Sequence, residues 1–243
     1  MTERISIIIP ILNEAVRIGH LLEYLYQNAA EKNIAEVIVV DGGSDDGSQQ
    51  VVAQVPGVML LSSPRGRARQ MNKGAQYASG SILYFLHADT VPPRSFDQQI
   101  ITEAKRYDAG CFRLQFAPAD HFLLRLAPWV TQFGWIWLRG GDQSLFIRKP
   151  QFEALGGFDE IYTIYEDVEF IERIYQAYNF RIMEDCVTTS SRRFQRIGTW
   201  KLYFHFLMIH IKHAQGASPE ALFKYYNTKI GNAEPQKQAQ LSN

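Results

Sequence analysis

Three runs of apolar residues, one closing on a proline and two on acidic stations, constrain this chain more than any other feature. Residues 5–9 form a nearly unbroken apolar run that ends at Pro10. Val37-Ile38-Val39-Val40 ends at Asp41, and Ile82-Leu83-Tyr84-Phe85-Leu86 ends at His87-Ala88-Asp89. A strand that is apolar at successive positions is buried on both faces, as in a parallel sheet covered by helices on each side. A carboxylate at the end of such a strand is held rigidly and faces the crevice where α/β sheets bind ligands. A further acidic station, Glu166-Asp167, follows the turn Gly156-Gly157-Phe158. These acids together point to a site for a metal and a phosphorylated substrate.

Helical spacing fills the gaps between the strands. Ile18, Leu21, Leu22, Leu25 and Ala29 recur at helical intervals. Strands are predicted at residues 5–9, 36–40, 58–61 and 81–86, and helices at 18–29, 49–54, 67–78 and 95–106. This alternation predicts an α/β fold, with a Rossmann-like, mostly parallel central sheet and helices on both faces. The second half is less regular. Strands are expected at 110–116 and 144–148 with an aromatic helix between them, and helices at 168–178 and 199–213. Ser218-Pro219-Glu220 has the N-cap, first-turn proline and acid that start a last helix. No repeat or low-complexity linker divides the chain. One domain is expected over residues 1–230. The polar tail, 231–243, is expected to be disordered.

Composition removes several function classes. Lys+Arg and Asp+Glu both number 25, so the net charge is zero. That balance argues against nucleic acid as a partner, because phosphate backbones select clustered positive charge. Cys111 and Cys186 are the two cysteines, and neither lies in a CxxC or CxxH arrangement. A disulfide framework or structural zinc site is not expected, and reduced thiols fit a cytoplasmic location. The strand-like start predicts no signal peptide. The most apolar stretch, 126–138, is shorter than the roughly 18 residues of a membrane helix and contains Pro128 and Gln132. No GxxxxGK[ST] loop, GxGxxG after the first strand or GxSxG elbow occurs.

Pro10-Ile11-Leu12-Asn13-Glu14 is expected to end the first strand at Pro10 and begin a helix. Beside Asp41-Gly42-Gly43-Ser44 at the end of the second strand, it would line one pocket. The glycines there would let a nucleotide approach the backbone.

These residues resemble a known family. Pro10-x-x-Asn13-Glu14, Val-Val-Asp41-Gly-Gly-Ser-x-Asp46-Gly, His87-Ala88-Asp89 and Glu166-Asp167, in that order, resemble the family-2 glycosyltransferases of the GT-A fold. The likeness runs over residues 5–226. Arg67-x-x-Gln70-Met71-Asn72-x-Gly74 and Ser191-Arg192-Arg193-Phe194 are similar to a compact bacterial subgroup without transmembrane helices.

The resemblance implies an inverting, metal-dependent enzyme that moves one sugar from a nucleotide-diphospho-sugar to an acceptor hydroxyl. It makes Asp41 the acid that contacts the donor nucleoside. Asp89 becomes the ligand of a divalent cation, Mg2+ or Mn2+, on the donor diphosphate. Asp167 becomes the general base, with Glu166 orienting the acceptor or the base. Pro10, Asn13, Glu14, Gly43, Asn72, His87 and Ala88 join the nucleotide-sugar site. Asp142 and Gln143 line the acceptor pocket, and the resemblance divides the domain into a donor half near 1–108 and an acceptor half near 109–230.

Two positions depart from the family pattern. Gly42 stands where a second acid is usual, and His87 where the first acid of DxD is usual. His87 has three readings: ribose contact, metal ligation, or packing against the loop. The QxxRW motif of processive synthases is missing, which favours single-sugar transfer.

Among the basic residues Arg65, Arg67, Arg69 and Lys73, Arg67 is placed to clamp a diphosphate, since Arg holds such oxygens bidentately. Arg192 and Arg193 invite the same reading on the acceptor side. The aromatic segment 126–138 has three readings: core packing, an acceptor platform, or peripheral contact with the inner face of the membrane. Phe204, Leu207, Met208 and Ile211 are expected to face the core, and His205, His210 and His213 to be ordinary polar positions. Two other functions fit acids at strand ends. One is a nucleotidyltransferase, which would want a basic Gly-rich loop after the first strand. The other is a non-catalytic nucleotide-sugar-binding protein. The acceptor and the oligomeric state are not legible.

Overall fold

A computed structural model describes residues 3–231, so the expectation for the tail beyond Gly231 lies outside the described residues. The first half alternates as expected. It runs β1 (Ile5–Ile11), α1 (Ala15–Asn28), β2 (Ile34–Asp41), α2 (Ser48–Ala53), β3 (Val58–Ser62), α3 (Arg67–Tyr77), β4 (Ile82–Phe85), β5 (Thr90–Val91) and α4 (Phe96–Glu103). The second half continues with β6 (Ala109–Ala117), the single-turn helices α5 (Phe122–Arg125) and α6 (Ala127–Val130), β7 (Leu145–Arg148) and α7 (Lys149–Ala154). It closes with α8 (Glu166–Ala177), β8 (Phe180–Ser190), α9 (Arg192–Ile197), α10 (Thr199–Ala214) and α11 (Pro219–Lys229).

Among the described residues the strands form one eight-stranded sheet in the order β3-β2-β1-β4-β7-β6-β8-β5. β1 runs parallel to β2 and β4, β2 to β3, and β6 to β8. β7 runs antiparallel to β4 and β6, and β5 to β8. The sheet therefore continues from one half of the chain into the other.

Strand alternation explains the continuous apolar runs. Ile5, Ile7, Ile9 and Ile11 of β1 pack with Ile18, Leu22, Tyr84 and Phe96 on one face. Ile8 packs with Met71, Ala75, Phe85 and Phe170 on the other. Each of these isoleucines is essentially without solvent exposure, a gain of about 1.5–3 kcal/mol per side chain before entropy is counted. Gly74 lets α3 approach the sheet: a Cβ there would lie 2.5 Å from Cγ2 of Ile8. A third cluster, with Phe116, Leu124, Tyr165, Phe194, Leu202, Ile209 and Leu222, holds α5, α6, α10 and α11 together.

The structure corrects several expectations. Pro10 does not end its strand; β1 continues to Ile11, which pairs with Asp41 of β2. The pairing of β1 with β4 stops at Ile8, so the missing N–H of Pro10 falls where no β4 partner remains. β8 was not expected. Its sequence carries Glu184 and Asp185, and its register against β6 shifts between Cys111 and Arg113, which breaks the apolar pattern.

The aromatic segment is not one helix. α5 and α6 are followed by 3-10 turns at Ile136–Leu138 and Gly141–Gln143. Nor is it core, because Trp129, Trp135 and Trp137 are each about 60% exposed. On α10 the buried residues are Leu202, His205 and Ile209, while Phe204 and Leu207 face outward.

Candidate active site

The carboxyl ends of β1 and β2 carry the first station. Asp41 closes β2 with no exposed surface. It accepts hydrogen bonds from the Gly43 N–H (3.0 Å), the Ser44 N–H (3.1 Å) and Gln49 Nε2 (2.6 Å), and from the Ser44 hydroxyl. Burial alone would raise its pKa, but these donors outweigh it and hold the carboxyl below its ordinary value. Asp41 thus faces its own loop rather than an open pocket. Asn13, in the left-handed region at φ 58, clamps the same loop. Its N–H donates to Ser44 Oγ at 2.9 Å, and its Oδ1 accepts from the Asp45 N–H at 2.9 Å.

Gln70 is a site residue that the sequence reading did not select. Its buried Nε2 donates to Ile11 O and Val40 O, both at 2.8 Å, joining the ends of β1 and β2. A Cβ on Gly42 would lie 2.9 Å from Gln70 Oε1. The side chain of Gln70 fills the space where family members more often carry the second acid. The signal was the pairing of Gly42 with Gln70, which one sequence does not reveal.

The second station follows β4. His87 Nδ1 lies 3.4 Å from Asp142 Oδ1. Burial would lower the His87 pKa, but the hydrogen bond and charge of Asp142, with Asp89, outweigh burial and Arg67 and raise it. Burial and then Asp142 push Asp89 up, against the pull of His87 and Arg192. Burial also acts on Asp142, yet His87, Arg193 and Arg67 outweigh it and lower its pKa. Arg192 Nη2 stands 2.9 Å from Glu14 Oε1 and 3.3 Å from Asp89 Oδ2. Ala88 is buried between these polar neighbours in sequence.

The third station opens α8. Acids in a first turn suit the positive end of the helix dipole. Asp167 Oδ1 accepts from the Val168 N–H at 2.9 Å, and its Oδ2 accepts from the Gly141 N–H. A Cβ on Gly141 would lie 2.6 Å from Asp167 Oδ2 and 2.6 Å from His87 Cε1. Only a glycine lets the backbone pass between these two side chains.

Glu166 is 1% exposed and lies 2.6 Å from Arg67 Nε. Burial pushes its carboxyl up to about 7 against the opposing pull of Arg67. Tyr165, just before the helix, is held in the left-handed region at φ 71. Its hydroxyl is 2.7 Å from His210 Nδ1, so His210 supports the first turn of α8 rather than standing as a spare polar residue.

Some expected site residues are engaged elsewhere. Asn72 clasps the Phe158 backbone, donating to its O and accepting from its N–H, both at 2.9 Å, and so ties α3 to the loop before α8. Gln143 is buried. With its amide oriented to satisfy its neighbours, it donates to Leu138 O (2.8 Å) and accepts from Arg139 Nη1 (3.3 Å), so its amide braces the loop. Arg139 donates to Thr131 O and Phe133 O at 2.6 and 2.7 Å beneath the same loop. In the basic cluster, Arg67 reaches the acids; Arg69 pairs with Glu160 at 3.7 Å and Lys73 donates to Ser62 O at 2.5 Å. Among the described residues no three His, Cys, Asp or Glu are grouped to hold a metal by themselves. The charge of Asp142 helps to raise the Asp89 pKa, and the Asp89 carboxylate is a hard oxygen donor of the kind that Mg2+ and Mn2+ take.

A parallel sheet entered by an antiparallel strand, with acids at the ends of β2 and β4 and at the start of α8, is the GT-A architecture. Residues 6–150, more than half of the chain, match Glycosyl transferase family 2, and the chain belongs to that family of glycosyltransferases. It is 28% identical over 192 residues to the succinoglycan biosynthesis protein ExoA of Rhizobium meliloti, covering 70% of this chain and 58% of that protein. It is 25% identical over 227 residues to the probable glycosyltransferase YdaM of Bacillus subtilis, covering 83% of this chain and 53% of that one. The chain thus spans little more than half the length of these relatives. The fold matches TarS 1–349 of S. aureus in complex with UDP, with TM-score 0.66 and 15% identity over 86% of this chain and 65% of that one. It also matches the mannosyltransferase PcManGT of Pyrobaculum calidifontis in complex with GDP-Man and Mn2+, with TM-score 0.66 and 21% identity over 96% of this chain and 73% of that one.

Proposed function

We propose that this chain transfers a single sugar from a nucleotide-diphospho-sugar to an acceptor hydroxyl with inversion, and that a divalent cation assists. The observation that carries this reading is the convergence at Gly141, whose backbone passes between His87 of the donor half and Asp167 of the acceptor half. A leaving group and a base can then address opposite faces of one sugar. Asp167 takes the proton from the acceptor hydroxyl as that oxygen attacks the anomeric carbon. Glu166 and Arg67 hold the first turn of α8 beside it. Asp89 would hold the cation through a carboxylate oxygen, and the bound cation would supply stabilisation of the negative charge on the departing diphosphate. Arg192, 3.3 Å from Asp89, would meet a diphosphate arriving there, and Arg193 would add its charge. Asp41 acts as the pivot of loop 42–48, and the exposed Gly43 offers its backbone to the nucleoside.

Residues 1–230 act as one catalytic unit in this reading, supported by the single sheet that runs through both halves. The nucleotides named with TarS and PcManGT, UDP and GDP-Man, support a nucleotide-sugar donor with either base. The test is donor turnover across a panel of nucleotide sugars with Mn2+ or Mg2+. Release of nucleoside diphosphate and a product of inverted anomeric configuration are expected. Pyrophosphate release would favour a nucleotidyltransferase, and binding without turnover a non-catalytic binding protein.

A further inference from the structure

All four tryptophans of the chain, Trp129, Trp135, Trp137 and Trp200, are exposed, each about 60%. Burying them would be the default for side chains of this size. Three of the four connect to a larger apolar surface. Phe122, Leu126 and Trp129 recur at i, i+4 and i+7 along the consecutive turns of α5 and α6, and all three are exposed. Trp200, Phe204 and Leu207 repeat that spacing on α10, again exposed. The rings of Phe122 and Trp200 are 6.2 Å apart and bridge the two stripes. Trp129 extends the surface through Phe133 to Trp135, with ring separations of 5.2 and 5.4 Å. Patches of this kind mark interaction surfaces on soluble folds.

Charge selects the partner. Residues 121–139 and 191–214, which carry both stripes, contain no Asp or Glu. The exposed cations Arg125 and Lys201 lie among them. Asp120, the acid just before the first stretch, is held by Gln195 Nε2 at 2.6 Å. A second copy of the chain would bring cations against cations, whereas an anionic surface complements them. Tryptophan and phenylalanine flanked by Lys and Arg match the chemistry of the bilayer interface, where rings sit at headgroup depth and basic residues meet anionic lipid. Among the described residues no helix is long and apolar enough to cross a membrane, so contact through this face would be lateral.

We infer that the surface formed by α5, α6, the segment after α6 and the outer face of α10 docks the protein on anionic lipid bilayers. The inference does not depend on the sugar-transfer reading, because vesicle binding and donor turnover are read separately. The test sediments the full chain with vesicles of phosphatidylcholine alone or mixed with phosphatidylglycerol. Binding to the mixed vesicles is expected, weakened by salt. A blue shift of tryptophan emission should accompany it, since every tryptophan lies in or beside the surface. The double variant Trp129→Ser, Trp200→Ser should lose about tenfold or more in partitioning, with donor turnover in the absence of vesicles unchanged. Lys201→Glu, which leaves the rings intact, should weaken binding to mixed vesicles by at least about fivefold and leave phosphatidylcholine binding alone. Absence of vesicle binding overturns the inference, as does equal binding by both variants. A concentration-dependent dimer that the double variant dissolves, without vesicle binding, would overturn it in favour of a second copy as the occupant.

Discussion

Nε of Arg67, at the start of α3, lies 2.6 Å from Oε1 of Glu166, at the start of α8. The contact joins two helices that cover the same face of the sheet, and it buries a carboxylate whose two oxygens have no aligned hydrogen-bond donor. Burial, the larger effect, pushes that carboxyl up to about 7, while Arg67 opposes it. Asp167, the base in the proposed reaction, is the next residue on the helix.

The pair predicts a pH-dependent stability. The folded chain keeps the Glu166 proton to about 7, while the unfolded chain releases it near the ordinary 4.5. Unfolding therefore releases a proton between these values, and stability falls as pH rises through that window. The loss is complete above the folded value and absent below the unfolded one. Glutamine cannot ionise, so Glu166→Gln should gain about 3 kcal/mol relative to the parent between the acid and alkaline ends of the window. Urea unfolding at both ends checks it; a constant offset would refute it.

Asp167→Asn keeps the shape of the side chain and removes its basicity. Transfer should fall by about 10²–10⁴-fold. Donor affinity, measured by calorimetry with a nucleoside diphosphate and Mn2+, should stay within about twofold of the parent. Loss of donor binding would reassign the residue.

Gly141→Ala places a methyl group 2.6 Å from both the Asp167 carboxylate and the His87 ring. Displacement of either side chain by a fraction of an ångström should lower kcat by about 10²-fold. Gly141 has no positive φ and the added methyl meets the ends of two side chains rather than backbone, so the variant should still fold cooperatively. Retained kcat would show that the approach of these residues is not used in turnover.

Gln70→Ala removes both hydrogen bonds that join the ends of β1 and β2 and leaves Ile11 O and Val40 O without that donor. A loss of about 2–3 kcal/mol in unfolding free energy is expected. Gly42→Asp should be destabilising in the parent and less so beside Gln70→Ala, which opens the space that Gln70 fills. Additive effects of the two substitutions would argue against the steric relationship.

The first half of the fold was legible because each element there obeys one rule. Strands buried on both faces give continuous apolar runs, and α1 shows its buried stripe Ile18, Leu21, Leu22 and Leu25 at helical spacing. β8 was illegible because half of it is polar and its register against β6 shifts. The outward stripe of α10 misled because Phe204 and Leu207 have the composition of core residues, and periodicity does not say which face meets the protein. In the site, the order of the acids carried the reading. Their partners did not, since Gln70, Gly141, Tyr165 and His210 act through contacts between distant segments. Asn72 and Gln143 sat within or beside the recognised motifs, yet their amides are consumed by backbone groups.

Arg192 bonds Glu14 across a separation of 178 residues and in the same reach approaches Asp89. The segment that matches the family, 6–150, contains both acids but neither this arginine nor Asp167. During synthesis, the strands of that segment can pair while its carboxylates still lack their cation. The site is completed only when the chain after β8 has emerged and folded back, a closure of high contact order that comes late and slowly. A nascent chain halted before that point would have the sheet of a glycosyltransferase without an assembled active site.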